Sequence, residues 1–259
     1  SMNKKPLISV IMNCYNGEIY LKESLASLFK QTYKNWELIF WDNFSTDNSY
    51  KILKNFKDRR IKYFFTKKHS KLYKARNLAI KKATGEFVCF LDTDDIWNKD
   101  FLKSFLKKMT TNRCDIACAK YKIRNYKTKK TSLNEKKSLP KIIKTQNLLD
   151  NYVIGVSSIM LRRKIFKKYR FNSNYQIIGD FDLFLKLSSK YDIHSIDKPL
   201  LTYRLHDQNF SVKKMNIHID ELNNWYRSFS KKNKKIYNLN KLKLYIFKWN
   251  LKFYLNRLF

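Results

Sequence analysis

Short apolar runs separated by amphipathic stretches dominate the first half of the chain. Residues 7–12, 36–41 and 61–65 are too short for buried helices and predict strands. Leu21, Leu25 and Leu28 recur at helical spacing after Gly17, and Tyr50, Leu53 and Phe56 do so after the turn residues 42–47. A third helix is predicted over about residues 73–83, with Arg76 and Asn77 near its start, and a fourth carries Phe101, Leu102, Phe105, Leu106 and Met109. Strands alternating with helices predict an α/β fold: a mainly parallel, Rossmann-like sheet flanked by helices in three layers. Beyond this the period weakens. Residues 121–141 are basic and polar and predict a hairpin or mobile loop of the kind that carries binding surfaces. A strand is predicted at 156–161 after Gly155, a helix with Phe184, Leu185 and Leu187 after Gly179, and a last strand at 200–205, ending at His206.

The most informative run is residues 85–97. A turn glycine leads into an apolar segment that reads as a strand buried on both faces, and the segment ends in Asp92, Asp94 and Asp95. While the chain stays extended, Asp92 and Asp94 point the same way, with Asp95 in the following turn. Such charges repel, and no neighbour in sequence neutralises them. A divalent cation would, because magnesium takes a carboxylate or two and fills its other positions with phosphate oxygens and water. An acidic strand end that is merely solvated and caps the next helix is the plainer alternative. The first reading puts a metal–phosphate site at the carboxyl edge of the sheet, where open α/β sheets bind ligands. The chain has only four glycines, each expected to mark tight backbone or close ligand approach. No GxGxxG or Walker-type loop is among them, so a diphosphate here must be held by metal and side chains.

Composition narrows the setting. With 259 residues and 44% hydrophobic content, the chain can build one large domain or one domain with an appendage. Cys14, Cys89, Cys114 and Cys118 lie in or beside apolar segments without zinc spacing, which predicts reduced thiols in a cytoplasmic protein. Ser1 before Met2 reads as a cloning remnant; no signal peptide opens the chain, and no apolar run approaches the roughly 20 residues needed to span a bilayer. The 55 Lys and Arg against 21 Asp and Glu give a formal charge of +34, attractive to nucleic acid, anionic lipid or diphosphates, although a general bias towards lysine also accounts for it.

Taken in order, a set of motifs resembles the family 2 glycosyltransferases of GT-A fold. They are Val10 to Gly17, Trp41 to Asp47, Ala75-Arg76-Asn77, Gly85 to Asp95, Gly155 to Ser158, Gly179 to Leu183, and Tyr203 to His206, a coverage from about Leu7 to Ser211. The resemblance implies transfer of a sugar, with inversion, from a nucleotide-diphosphate donor, preferably a UDP-sugar with dTDP and GDP open, to a glycan or lipid-linked acceptor. It implies Tyr15, Asn16, Glu18 and Asp42 around the nucleotide, Arg76 near it and Asp92 near the ribose. Asp94 and Asp95 would face a divalent cation (Mn²⁺ or Mg²⁺), His206 would reach the metal or diphosphate, and Asp180 would be the general base, with Asp182 structural. Three departures stand out: Asn13 replaces the usual proline, the loop 69–74 lacks the usual glycine, and Gly179 stands where many relatives carry an acidic residue. On this reading residues 1–212 form the catalytic domain, with a nucleotide-sugar half at about 7–110 and an acceptor-side half at 111–212. Residues 213–259 form a basic, aromatic helical extension.

In that extension Leu244, Phe247, Leu251, Tyr254 and Leu258 form one apolar stripe, and Leu242, Ile246, Trp249 and Phe253 a second, with lysines between them and Arg257 on the far side. One stripe is satisfied by the catalytic domain; the other needs a neighbouring helix, a second copy of the chain, or lipid. An anionic membrane surface suits it, making the protein peripheral on the inner face of the cytoplasmic membrane. Two rival readings remain at this stage. A noncatalytic basic module binding nucleic acid or membrane explains the charge but not carboxylates gathered at strand ends, and a nucleotidyltransferase on a similar fold would release pyrophosphate. The glycosyltransferase reading expects no nucleic-acid partner.

Overall fold

The structure is a computed structural model that describes residues 5–255; Ser1, Met2, Arg257 and Leu258 therefore lie outside the described residues. The apolar runs become β1 (Ile8–Cys14), β2 (Trp36–Asp42), β3 (Ile61–Phe65) and β4 (Phe87–Phe90). They pair in parallel in the order β3-β2-β1-β4. Further along come β5 (Ile96–Trp97), β6 (Ile116–Ala119), β7 (Lys122–Asn125), β8 (Thr131–Leu133), β9 (Ile142–Ile143), β10 (Ile159–Arg162), β11 (Ile193–Ile196) and β12 (Leu201–Leu205). The helices are α1 (Glu18–Phe29), α2 (Ser49–Lys54), α3 (Leu72–Ile80), α4 (Phe101–Thr111), α5 (Thr145–Asp150), α6 (Gly179–Ser188), α7 (Phe210–Lys213), α8 (Met215–Asn233) and α9 (Asn240–Leu255).

The main sheet has eight strands in the order β3-β2-β1-β4-β10-β6-β11-β9. Because strand side chains alternate between faces, Val10 and Met12 join Leu21, Leu25 and Leu28 of α1 and Phe101 and Phe105 of α4 on one side. Ile11 faces the other side, with Ala75 and Ala79 of α3 and Phe184 and Leu187 of α6. This is the three-layer arrangement that the alternating pattern predicts. Gly85 serves it directly: a Cβ there would lie 2.7 Å from both Leu7 O and Ser9 N, so only glycine lets the chain enter β4 this close to β1.

Two expectations change. Residues 156–158 form a single 3₁₀ turn rather than strand, and β10 starts only at Ile159. The turn sits at the edge where β4 ends, with Ser157 Oγ accepting from the Asp92 N–H (3.1 Å), so β10 runs back antiparallel to β4 and to β6. The sheet is parallel in its first half and mixed in its second. The basic segment 121–141 does form a hairpin, β7–β8, in a second sheet of order β5-β12-β7-β8. In that sheet β5 pairs antiparallel with β12, which brings residues 94–95, just before β5, beside His206, just after β12.

The C-terminal helices complete the larger core. Leu222 and Trp225 of α8 and Leu242 and Ile246 of α9 belong to the same buried cluster as α3 and α6. The two stripes of α9 have different surroundings: Leu242 and Ile246 are buried, whereas Leu244, Phe247, Leu251 and Tyr254 are exposed. No helix among the described residues is long and apolar enough to cross a membrane.

Candidate active site

The carboxylates after β4 do not share one direction. The strand ends at Phe90, and the Asp95 N–H closes a turn onto Asp92 O (3.1 Å), so the extended geometry that would align Asp92 with Asp94 is lost. Each carboxylate instead meets a partner from a distant part of the chain. Asp92 accepts from Arg76 on α3 (3.2 Å). Asp94 Oδ2 faces His206 Nε2 (2.8 Å) and accepts from Asn209 Nδ2 (3.2 Å). Asp95 is buried, against the Ser157 side chain and the Arg204 backbone, and its Oδ1 has no hydrogen-bond partner. The charges therefore do have neutralising groups, but none is local in sequence. Burial lifts the Asp92 carboxyl above its ordinary range, opposed by Arg76 and reinforced by Asp94 and Asp180. Burial lifts Asp95 further, with the Asp94 and Asp92 charges adding to it. The turn itself is held from α1, where Ser24 Oγ lies within hydrogen-bond distance of the Thr93 (2.8 Å) and Asp95 (2.5 Å) carbonyls.

Arg76 is itself buried, with its guanidinium carbon 5.4 to 5.8 Å from the ring centres of Phe90, Phe171 and Tyr73. An aromatic cage of this kind holds a guanidinium in place through cation–π contacts. Its Nε and Nη1 lack partners. Arg76 thus stands behind Asp92 and also acts electrostatically on Asp180.

At the neighbouring end of the sheet edge, Asp42 terminates β2 and is buried. Its oxygens accept from the Ser45 N–H (2.8 Å) and the Tyr63 hydroxyl (2.9 Å). Tyr15, which follows β1, is 53% exposed, and its ring centre lies 4.2 Å from that of His69. The loop that carries His69 has no glycine but is pinned by a reciprocal amide contact: Asn43 Nδ2 donates to Ser70 O (2.7 Å) and the Ser70 N–H donates back to Asn43 Oδ1 (3.2 Å). Asn16 and Glu18 lock two loops together, accepting from the Thr46 N–H (2.8 Å) and the Asn48 N–H (3.0 Å). Their side chains are committed to the protein in this arrangement, whereas the Tyr15 ring is free on one side.

Asp180 lies in the first turn of α6, half-buried, and accepts from the Tyr73 hydroxyl (2.9 Å). Burial raises its pKa, and the Tyr73 hydroxyl and the Arg76 charge partly oppose the rise. Asp182 turns away, accepting from Trp225 Nε1 (3.0 Å) on α8. Tyr63, Tyr73 and Asn209 are site residues that the sequence reading misses. Asn209 carried the clearest signal, since it lies three residues after His206 and accepts from the His206 N–H (2.6 Å).

The fit of a divalent cation can be tested on Asp94 and His206. The Gln208 N–H donates to His206 Nδ1 (3.2 Å), so Nε2 carries the ring proton and donates to Asp94. Metal binding at Nε2 would require the ring proton to sit on Nδ1 instead, displacing the Gln208 contact; one carboxylate oxygen and one imidazole nitrogen would then converge on a common position. No group of three or more His, Cys, Asp or Glu side chains forms a metal cage among the described residues. Two protein ligands completed by diphosphate oxygens and water are nonetheless the donor set that a hard cation accepts, so the residues fit. Asp95, turned into the protein, is not part of that pair.

Comparisons with known proteins bear on the family and the fold. The family model described as "Glycosyl transferase family 2" matches residues 9–170. The chain is 34% identical over 211 residues to the Escherichia coli UDP-Glc:alpha-D-GlcNAc-diphosphoundecaprenol beta-1,3-glucosyltransferase WfgD, covering 80% of this chain and 81% of that one. Among solved structures it resembles S. aureus TarS 1-349 in complex with UDP, at 25% identity and a TM-score of 0.66, over 84% of this chain and 65% of that chain. It also shares the fold of the mannosyltransferase PcManGT from Pyrobaculum calidifontis in complex with GDP-Man and Mn²⁺. There the identity is 14% and the TM-score 0.65, over 88% of this chain and 65% of that chain.

One geometric detail yields a test with a reversed sign. At an open helix start, replacing glycine by alanine stabilises by up to about 1 kcal/mol. At Gly179 the added Cβ would lie 2.5 Å from the Tyr73 ring. Gly179→Ala should therefore destabilise the protein by about 1–3 kcal/mol, the usual scale of overpacking. A urea-denaturation midpoint equal to or above that of the parent protein would show that the two positions do not compete for space.

Proposed function

This chain belongs to the family 2 glycosyltransferases, and from that premise we propose that it transfers a sugar, with inversion, from a UDP-sugar to a hydroxyl of a glycan or lipid-linked acceptor. One observation carries the reading. Asp92, Asp94, His206 and Asp180, drawn from three separated segments, meet at one sheet edge, with Arg76 behind both Asp92 and Asp180. The UDP bound by TarS and the UDP-glucose and diphosphoundecaprenol named for WfgD support the choice of base and acceptor class.

On this reading the base of the nucleotide rests on the exposed Tyr15 ring, with Asp42 beneath, its carboxylate oriented by Tyr63 and Ser45. Asp92, steadied by Arg76, faces the ribose. Asp94 and His206 would hold the divalent cation, which would supply positive charge to balance that gathered on the departing diphosphate. Asp180 accepts the acceptor hydroxyl's proton, and burial suits it to that role by raising its basicity. The exposed stripe of α9, flanked by Lys241, Lys248 and Lys252, docks on anionic lipid and keeps the enzyme at the surface where a lipid-linked acceptor resides.

Three measurements test these assignments. Asp94→Ala should abolish the metal-dependent part of UDP-sugar affinity with the fold intact; undiminished Mn²⁺-dependent binding in calorimetry would remove Asp94 from the metal site. Asp180→Asn should lower turnover by roughly two to four orders of magnitude, the scale of lost general-base catalysis, with little change in donor affinity. Near-normal turnover would give the proton to another group. Replacing Leu244, Phe247 and Leu251 together by serine should release the protein from anionic vesicles. Equal sedimentation of variant and parent with those vesicles would disqualify the α9 stripe as the anchor.

A further inference from the structure

We propose that Glu221, on α8, is the positioning residue that sets Asp180 in place for proton transfer. The segment just before α6 has no strand or helix of its own to fix it. Its backbone donors converge on one carboxylate: Glu221 Oε1 accepts from the Gln176 N–H (2.5 Å), and Oε2 accepts from the Ile177 N–H (2.9 Å) and the Ile178 N–H (3.1 Å). Three successive N–H groups facing one anion form a nest, and this one lies at the positive end of the α6 dipole.

The grip reaches Asp180 through a single residue, Ile177, and the Tyr73 hydroxyl. Ile177 gives its N–H to Glu221 and its carbonyl to the Tyr73 hydroxyl (2.6 Å), and the same hydroxyl lies 2.9 Å from Asp180 Oδ1. α8 also holds the two residues that follow Asp180. Trp225 lies 4.8 Å from the Phe181 ring centre and donates to Asp182. The two side chains lie four positions apart on α8, one helical turn, so they act from one face. None of these α8 residues falls in the 9–170 stretch that the family model matches. The C-terminal extension thereby becomes part of the machinery that presents the base.

The proposal rests on the assignment of Asp180 as base, and its test separates the two. In protein labelled with ¹³C-aspartate, the Asp180 carboxyl signal is assigned by its loss in Asp180→Asn. Glu221→Ala should move or broaden that signal and speed amide exchange at residues 176–178 at least tenfold, leaving exchange in β1 and β2 unchanged. Glu221→Gln, which keeps one acceptor oxygen, should fall between. An unmoved Asp180 signal, or unchanged exchange at 176–178, overturns the proposal whatever the activity. UDP release from UDP-glucose gives the second readout: Glu221→Ala should lower turnover about ten- to a hundredfold without changing donor KM. Added to Asp180→Asn it should lower turnover no further, because a residue acting through Asp180 has nothing left to position. Additive losses would also overturn the proposal. A normal rate in Asp180→Asn alone would sink the base assignment and leave the grip on the loop standing.

Discussion

Burying a carboxylate costs several kcal/mol unless a counter-charge or hydrogen bonds meet it, and of the three within four residues at the end of β4 Asp95 is buried and Asp92 and Asp94 are partly so. The segment cannot solve this locally, since Gly85 to Phe90 offers no cation and its one side-chain donor, the weak Cys89 thiol, faces Ser9 O. Arg76 comes from α3, His206 and Asn209 from beyond β12, and Ser157 from the turn before β10. Each partner requires its own element to be packed correctly, which ties the main sheet, the small sheet and the 3₁₀ turn to one electrostatic requirement.

Where chain pattern alone decides structure, the sequence was readable. β1 to β4 and their helices followed from apolar runs and helical spacing, and for β1, β2 and β4, buried on both faces, there is no ambiguity of side. The motif residues were also readable, as Asp92, Asp94, Asp180 and His206 stand where turns end strands or start helices. The pairing of those residues was not. Tyr73 meets Asp180 across a separation of 107 positions, and Asp94 meets His206 across 112. No periodicity encodes such contacts. The direction of β10 was hidden for a related reason: a short apolar run has the same appearance whether it runs up or down the sheet. Asp92 and Asp94 were expected to align because extended geometry was carried beyond the strand's end at Phe90 into a turn that Ser24 of α1 holds from a distance.

The C-terminal helices bear on the site in two ways. Their buried side chains finish the layer that contains α3 and α6, so the helix that carries Asp180 is packed from both directions. Their outward side chains present the largest exposed apolar groups of the extension, Phe247 and Tyr254 among them. A structure that packs one face and leaves the next one bare couples the rigidity of the site to whatever covers that face.

The contact between Gly179 and Tyr73 has a consequence for how such a chain can diverge. The two positions divide a single volume: the ring lies where a side chain at 179 would begin. A larger residue at 179 would press on that ring while the tyrosine remains, and losing the tyrosine first strips Asp180 of its hydroxyl partner. Either change alone costs something that the matched pair does not, so positions 73 and 179 are energetically coupled.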